Sequence, residues 1–256
     1  MIKFTIENGI GRITLNRPEK FNSFNREMAL ELQRVLDECS SDDNVRVVLL
    51  TGEGKAFSAG QDLGEAMDPE GPGIQKIVEQ HYNPIIAAIR SMEKPVLCAV
   101  NGVAAGAGAN IALCCDIVIA AKSATFIQAF SKIGLIPDSG GTFFLPRLIG
   151  FQRASALMIL GDKVGAEDAT KMGMIYKVFE DENLQSAALE MAMVLSQMPT
   201  KGIGLTKALL NDSYFHSLDE QLEMEAELQV EAAATRDFRE GVEAFLGKRK
   251  PVFTGN

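Results

Sequence analysis

The run PVLCAVNGVAAGAGAN, residues 95–110, decides the fold class. Pro95 to Val100 is short and almost wholly apolar, the pattern of a strand buried on both faces. A Gly/Ala-rich loop follows at once and merges into a helix of small residues. A further apolar run then appears at Ile117 to Ala120. The same order occurs upstream. Val45 to Leu50 is apolar, TGEGKAFSAGQDL at 51–63 is a Gly-rich loop, and Ile74 to Met92 has helical patterning. Strand, loop and helix in repeated succession predict an α/β core with helices covering the sheet.

Further out, residues 2–15 alternate in the manner of two strands around Asn8-Gly9, a hairpin turn signal. Asn25 has the character of an N-cap for a helix in which Met28, Leu32, Val35 and Leu36 share one face. After Phe179 the pattern is helical almost throughout. Leu184, Ala188, Met191 and Leu195 recur at helical spacing, as do Leu218, Leu222, Glu225 and Leu228. This predicts an α/β core over 1–195 and an α-helical part over 196–256. No Pro/Ser-rich linker separates them, so the helices are expected to pack on the core or on a neighbouring subunit.

The chain has 256 residues, 46% hydrophobic and 23% charged, with a net charge of −9. That excludes collagen-like, disordered and disulfide-stapled classes. The acidic balance argues against a nucleic-acid partner, while leaving room for a local basic site. Cys39, Cys98, Cys114 and Cys115 form no CxxC pair, so reduced and buried thiols are expected. His81 and His216 belong to no zinc motif. The N-terminus lacks a signal-peptide pattern, and no apolar run approaches the roughly 18 residues of a membrane span. A cytoplasmic protein is expected.

Two loops have the composition of an anion cradle. They are residues 56–63, AFSAGQDL, and residues 102–110, GVAAGAGAN. Small residues admit a ligand close to the backbone, and the second loop opens a helix whose first amides carry partial positive charge. One N–H from each loop, aimed at a single oxygen, makes an oxyanion hole. The alternative is a pair of tight turns serving only close packing. No GxGxxG and no GxxxxGK[ST] occurs, so dinucleotide and P-loop sites are excluded.

FSAGQDL, KPVLCAVNGVAAGAGANIALCCDI and GLIPDSGGTFFLPRLIG together resemble the crotonase (enoyl-CoA hydratase/isomerase) superfamily. The resemblance runs from NRPEKFNSF at 16–24 to the C-terminal tail. DSGGTFFLPRLIG and DFREGVEAFLGKRKPVFTG are similar to the ring-1,2-epoxyphenylacetyl-CoA isomerase branch in particular. The resemblance implies a spiral of ββα repeats with C-terminal trimerisation helices, assembled as a homotrimer or dimer of trimers. It implies an acyl-CoA thioester substrate, with CoA part of that substrate and no metal or redox cofactor.

By motif match, the resemblance assigns the oxyanion-hole donors to the N–H groups of Gln61 and Ala107. Gly60 and Gly106 precede them, and Ala59, Asp62 and Leu63 would border the adenine and pantetheine. Lys20 and Phe21 match a stretch beside CoA, and Lys248 matches a C-terminal cation that reaches CoA phosphates. The hydratases' two glutamates are replaced here by Asn110 and Phe130. Asn cannot act as a base and Phe excludes water, which argues against efficient hydration. Asp138 matches the carboxylate of the isomerase and dehalogenase branches. Its apolar neighbours Phe126, Phe130, Leu135, Ile136, Phe143 and Phe144 should raise its pKa.

The competing role for Asp138 is to cap a helix beginning at Ser139, and Asp62 is the competing carboxylate, expected to hold its loop. His81 and Tyr82 lie near the expected acyl pocket, and Arg147 and Arg153 are candidate phosphate contacts. These readings predict an acyl-CoA isomerase with one Asp base, which shifts a double bond or opens a ring epoxide. The alternatives are an enoyl-CoA hydratase with an atypical site and a CoA-ester-binding protein without catalysis.

Overall fold

The computed structural model describes residues 1–256. Asn8 and Gly9 both adopt positive φ (52° and 79°), the geometry of a two-residue hairpin turn. They join β1 (Ile2–Glu7) to β2 (Ile10–Leu15) in antiparallel register. Helix α1 (Arg26–Ser41) follows, and the Asn25 side chain accepts a bond from the Met28 N–H as its cap. Met28, Leu32, Val35 and Leu36 are fully buried, as their spacing predicts.

Three repeats then build the core. Each sends a long strand into one sheet, turns a corner, lays a three-residue strand into a second sheet and continues towards a helix. The pairs are β3 (Val47–Gly52) with β4 (Ala56–Ser58), β5 (Val96–Val100) with β6 (Val103–Ala105), and β7 (Ile117–Ala121) with β8 (Thr125–Ile127). The second sheet is completed by β9 (Lys163–Gly165) and the first by β10 (Lys177–Phe179). Strand order is β1-β2-β3-β5-β7-β10 in the six-stranded sheet and β4-β6-β8-β9 in the four-stranded one. This is the spiral of ββα repeats. The two Gly-rich stretches read as loops each contain one of the short strands. Their few residues carry too little alternation to announce a strand in sequence.

The helices after α1 are α2 (Leu63–Ala66), α3 (Gly73–Lys76), α4 (Asn83–Ser91), α5 (Ala107–Leu113), α6 (Gly141–Ile149), α7 (Phe151–Leu160) and α8 (Ala166–Lys171). The single helix expected over 74–92 is divided. A π-helical stretch, Ile77–Tyr82, separates α3 from α4. The wider turn buries the adjacent side chains of His81 and Tyr82 together, and Pro84, which has no N–H to continue the ladder, lies just after it.

The continuous hydrophobic core runs in sequence from Ile10 to Leu195. Helix α9 (Leu184–Ser196) closes it. Helices α10 (Thr200–Asp212), α11 (Leu218–Ala233) and α12 (Arg236–Leu246) lie outside this core. Leu218, Phe245 and Leu246 are more than two-thirds exposed. No helix is long and apolar enough to cross a membrane. All four cysteines are buried and free.

Asn22 anchors the segment that precedes α1 to the β3–β4 corner. It is fully buried with left-handed backbone. Its amide donates to the Glu53 and Ala56 carbonyls at 2.9 and 2.8 Å, and its Oδ1 accepts from the Arg17 N–H at 2.8 Å. Asn22→Ala is therefore expected to lower unfolding free energy by about 1–3 kcal/mol, the cost of buried carbonyls left unpaired. Urea denaturation checks this, and an unchanged midpoint contradicts it.

Candidate active site

The end of β4 and the start of α5 meet at a glycine. Gly60 has φ +86°, and a methyl group added there would stand 2.8 Å from the Ala105 carbonyl oxygen and 3.4 Å from the Ala107 nitrogen. Only glycine allows the approach that brings the two loops together. Residues 60–62 run beside Phe24 as a parallel bridge. Phe24 N–H donates to the Gly60 carbonyl at 2.7 Å and Asp62 N–H to the Phe24 carbonyl at 2.8 Å. The Gln61 N–H, between these two, therefore faces the opposite side. It has no acceptor within the chain.

Ala107 is the first residue of α5, so its N–H has no carbonyl one turn back. Gly106, with φ +53° and ψ −128°, turns the chain into the helix, and the Ala107 N–H also lacks an acceptor. The two donors assigned to an oxyanion hole are thus both free and on adjoining loops. Phe130 is buried with its ring 3.7 Å from the position of a methyl group at Gly106, so it forms an apolar wall beside this point.

Asp138 sits at the first position of a tight turn rather than at a helix cap. Ser139 and Gly140 both have positive φ (51° and 72°), and the Gly141 N–H donates to the Asp138 carbonyl at 2.9 Å. This is a mirror-image turn of the kind that favours glycine, and Ser139 bears its strain. The expected helix start at Ser139 is displaced to Gly141, and no side chain caps α6. The Asp138 carboxylate is left to accept only the Ser139 hydroxyl, at 2.8 Å. Burial pushes the Asp138 pKa above the ordinary carboxylate value, against the opposing pull of that hydroxyl. Its apolar surroundings are narrower than expected, because Ile136 and Leu135 are exposed.

Asn110 and Phe130 occupy the positions where the resemblance places carboxylates. Asn110 is 1% exposed and its amide is engaged with protein. It donates to the Asp138 carbonyl at 2.9 Å and accepts from Gln128 at 2.8 Å. Tyr82 is fully buried and donates to Gln61 Oε1 at 2.8 Å. Burial first, then the charges of Asp138 and Glu65, holds the Tyr82 phenol well above its usual pKa, so it stays a donor. Glu65 accepts from Gln61 Nε2 at 3.1 Å and from the Arg26 N–H at 2.9 Å. His81 is buried, neither ring nitrogen has a partner, and burial lowers its pKa.

The remaining predicted contacts divide. Phe21 and Lys20 lie beside the first loop. The Phe21 carbonyl accepts from the Ala59 N–H at 2.9 Å, and the Lys20 charge contributes to lowering the Asp62 pKa. Ala59 and Leu63 are exposed at the same place. Asp62 caps α2 through the Gly64 N–H at 2.9 Å and pairs with Arg17 at 2.8 Å, which is the loop-holding role expected of it. Lys248 is exposed beyond α12, and its ammonium has no partner in the chain. Arg147 lies over the Phe143 ring at 3.8 Å rather than in an ion pair.

Sequence reasoning missed Gln128, Glu65 and the contact made by Tyr82. Gln128 left a signal, as one polar side chain in the apolar run Phe126 to Phe130. Glu65 left none.

A spiral of ββα repeats with two free amides on adjoining loops, a strained turn bearing a carboxylate and an apolar wall defines the class. The chain belongs to the enoyl-CoA hydratase/isomerase family, whose profile it matches over residues 5–256. Members of that family are enzymes acting on acyl-CoA. The chain is 50% identical over 253 residues to the 1,2-epoxyphenylacetyl-CoA isomerase of Escherichia coli, covering 98% of this chain and 97% of that protein. It is 44% identical over 254 residues to the "Probable enoyl-CoA hydratase" of Rhodobacter capsulatus, covering 99% and 98%. Among solved structures, an enoyl-CoA hydratase from Polaromonas sp. JS666 superposes with a TM-score of 0.91 at 35% identity, covering 98% and 99%.

The Arg17–Asp62 pair gives the first loop a pH signature. The hydrogen bond from Arg17, together with the Gly64 N–H, holds the Asp62 pKa below its ordinary value despite burial. Its stabilisation is therefore present above the unfolded carboxylate pKa of about 3.9 and is lost as pH falls through the lower folded value. Thermal unfolding should show this loss below about pH 4. Arg17→Met should flatten it, and an undiminished loss in that variant contradicts the assignment.

Proposed function

We propose that this protein is an acyl-CoA isomerase. It moves a double bond, or opens a ring epoxide, through an enolate held by the Gln61 and Ala107 amides, with Asp138 as the single base. The observation that carries this is the pairing of two unsatisfied backbone donors with one carboxylate. Neither position where the resemblance places a hydratase glutamate holds a carboxylate.

The thioester carbonyl accepts from both amides. As a carbon-bound proton leaves, negative charge grows on that oxygen, and fixed donors stabilise it more than they stabilise the neutral carbonyl. Asp138 takes the proton from one carbon and returns it to another. A 3-enoyl-CoA thereby becomes the conjugated 2-enoyl-CoA, with no atom gained or lost. With a ring-1,2-epoxyphenylacetyl-CoA, the same carboxyl group would assist opening to the oxepin. The raised pKa strengthens Asp138 as a base. Hydration needs a group that positions and deprotonates water. Asn110 has its amide committed to protein, and Phe130 supplies hydrocarbon. The chemistry uses no cofactor beyond the CoA carried by the substrate. Lys20, Phe21, Ala59 and Leu63 are the surface on which the CoA portion would lie, and Lys248 would join them across a subunit boundary.

Asp138→Asn should lower kcat by about 10²–10⁴-fold with KM nearly unchanged. In the unsubstituted enzyme, kcat/KM should fall on the acid side through a pKa above the ordinary carboxylate value of about 3.9. The assay is a panel of 3-enoyl and aryl thioesters, run beside crotonyl-CoA hydration. Full isomerase activity in the variant, or rapid hydration of crotonyl-CoA, contradicts the proposal. Binding of thioesters with no turnover of any would favour the non-catalytic reading.

The exposed apolar side chains Leu218, Leu222, Phe238, Phe245 and Leu246 support assembly through the C-terminal helices as a homotrimer or dimer of trimers. Sedimentation equilibrium should give three or six times the chain mass, and a monomer at micromolar concentration contradicts this.

A further inference from the structure

We infer that Asn110 and Gln128 act together as positioning residues for Asp138, with Gln128 orienting the Asn110 amide and Asn110 holding the turn that aims the carboxylate. The inference rests on Asp138 being the base. It deepens that reading by giving a task to the residue at which the resemblance places a glutamate.

The Asp138 carbonyl oxygen accepts two bonds. One closes the turn, from the Gly141 N–H at 2.9 Å, and the other comes from Asn110 Nδ2 at 2.9 Å. The turn places Ser139, which has a Cβ, at φ +51°. Such a residue is strained and persists only where its surroundings over-determine it. The Asn110 bond is one of the surroundings that do so. Contact is close enough that a methyl group added at Gly141 would lie 2.4 Å from Asn110 Nδ2, so the start of α6 rests on this amide.

An amide has two ends, and only one can donate to a carbonyl. Gln128 Nε2 donates to Asn110 Oδ1 at 2.8 Å, which turns Nδ2 towards Asp138. Both side chains are buried, Gln128 at 4% exposure and Asn110 at 1%. Gln128 Oε1 has no partner of its own. A glutamine kept at such a cost, in an otherwise apolar run, marks its donor end as the useful one. A glutamate at residue 110 would be unable to donate to the Asp138 carbonyl when ionised. It would also place a second negative charge beside the base.

The test compares Asn110→Ala, Gln128→Met and the double variant with the unsubstituted enzyme. Gln128→Met keeps the shape and removes the donor, so it remains informative if Asn110→Ala folds poorly. Each single change should lower kcat about ten- to hundredfold, as expected for a displaced catalytic group, with KM within about twofold. The double variant should be no slower than Asn110→Ala, because Gln128 acts only through Asn110. Hydrogen exchange at the Gly141 amide should be faster in both single variants, while exchange in β5 stays unchanged. Unaltered kcat in both, or effects that multiply in the double variant, overturns the inference. If the unsubstituted enzyme isomerises no thioester, the isomerase reading falls. Exchange then decides the clamp by itself, and unchanged Gly141 protection overturns it.

Discussion

The close approach of Gly60 to the Ala105–Ala107 backbone is the constraint on which the rest depends. Bringing two strand-to-helix passages that near leaves the N–H groups of Gln61 and Ala107 without acceptors. Unpaired donors cost free energy when withdrawn from water, so natural folds rarely keep them without a use. In the proposed reaction, an oxygen that becomes an anion recovers that cost. The recovery is greatest at the transition state, where the charge is greatest. The architecture maintains the approach because short strands β4 and β6 are neighbours in the second sheet, each delivering one donor at its end.

The carboxylate depends on a different kind of constraint. Asp138 is kept partly out of water and on a turn that its own sequence strains at Ser139. Both features work against stability, and in the proposed reaction both favour chemistry, since a dry, fixed base needs little reorganisation. Around it several buried polar groups are paired, while the His81 ring nitrogens and Gln128 Oε1 are not. Tyr82 bonds to Gln61, Gln61 to Glu65, and Glu65 to the first N–H of α1. The loop at residues 56–63 and the first helix are thereby one hydrogen-bonded unit, and His81 stands beside it without a partner.

Much of this was legible in the residues. Asn8-Gly9, the Asn25 cap and the apolar runs at 45–50 and 95–100 carry local signals strong enough to place a hairpin, a helix and two buried strands, observed at 47–52 and 96–100. The motif resemblance selected the two loop amides and Asp138. The three-residue strands β4, β6 and β8 were not legible, since their pairing is wholly long-range. The competing role of Asp138 as a cap for a helix from Ser139 fails because the Ser-Gly-Gly run forms a turn first and α6 begins at Gly141. Gln128 stands out as a polar residue in an apolar run, but its partner Asn110 is 18 residues away, and Glu65 joins nearby Gln61 to the Arg26 N–H 39 residues away; no local pattern names those distant partners.

The central claim is that this pocket relocates hydrogen within an acyl chain and does not add water to it. The most direct measurement incubates the enzyme with a 3-enoyl-CoA in H₂¹⁸O and follows the product by mass spectrometry. The account predicts a 2-enoyl-CoA of unchanged mass that accumulates without a 3-hydroxyacyl-CoA. Rapid appearance of ¹⁸O-labelled 3-hydroxyacyl-CoA would contradict it.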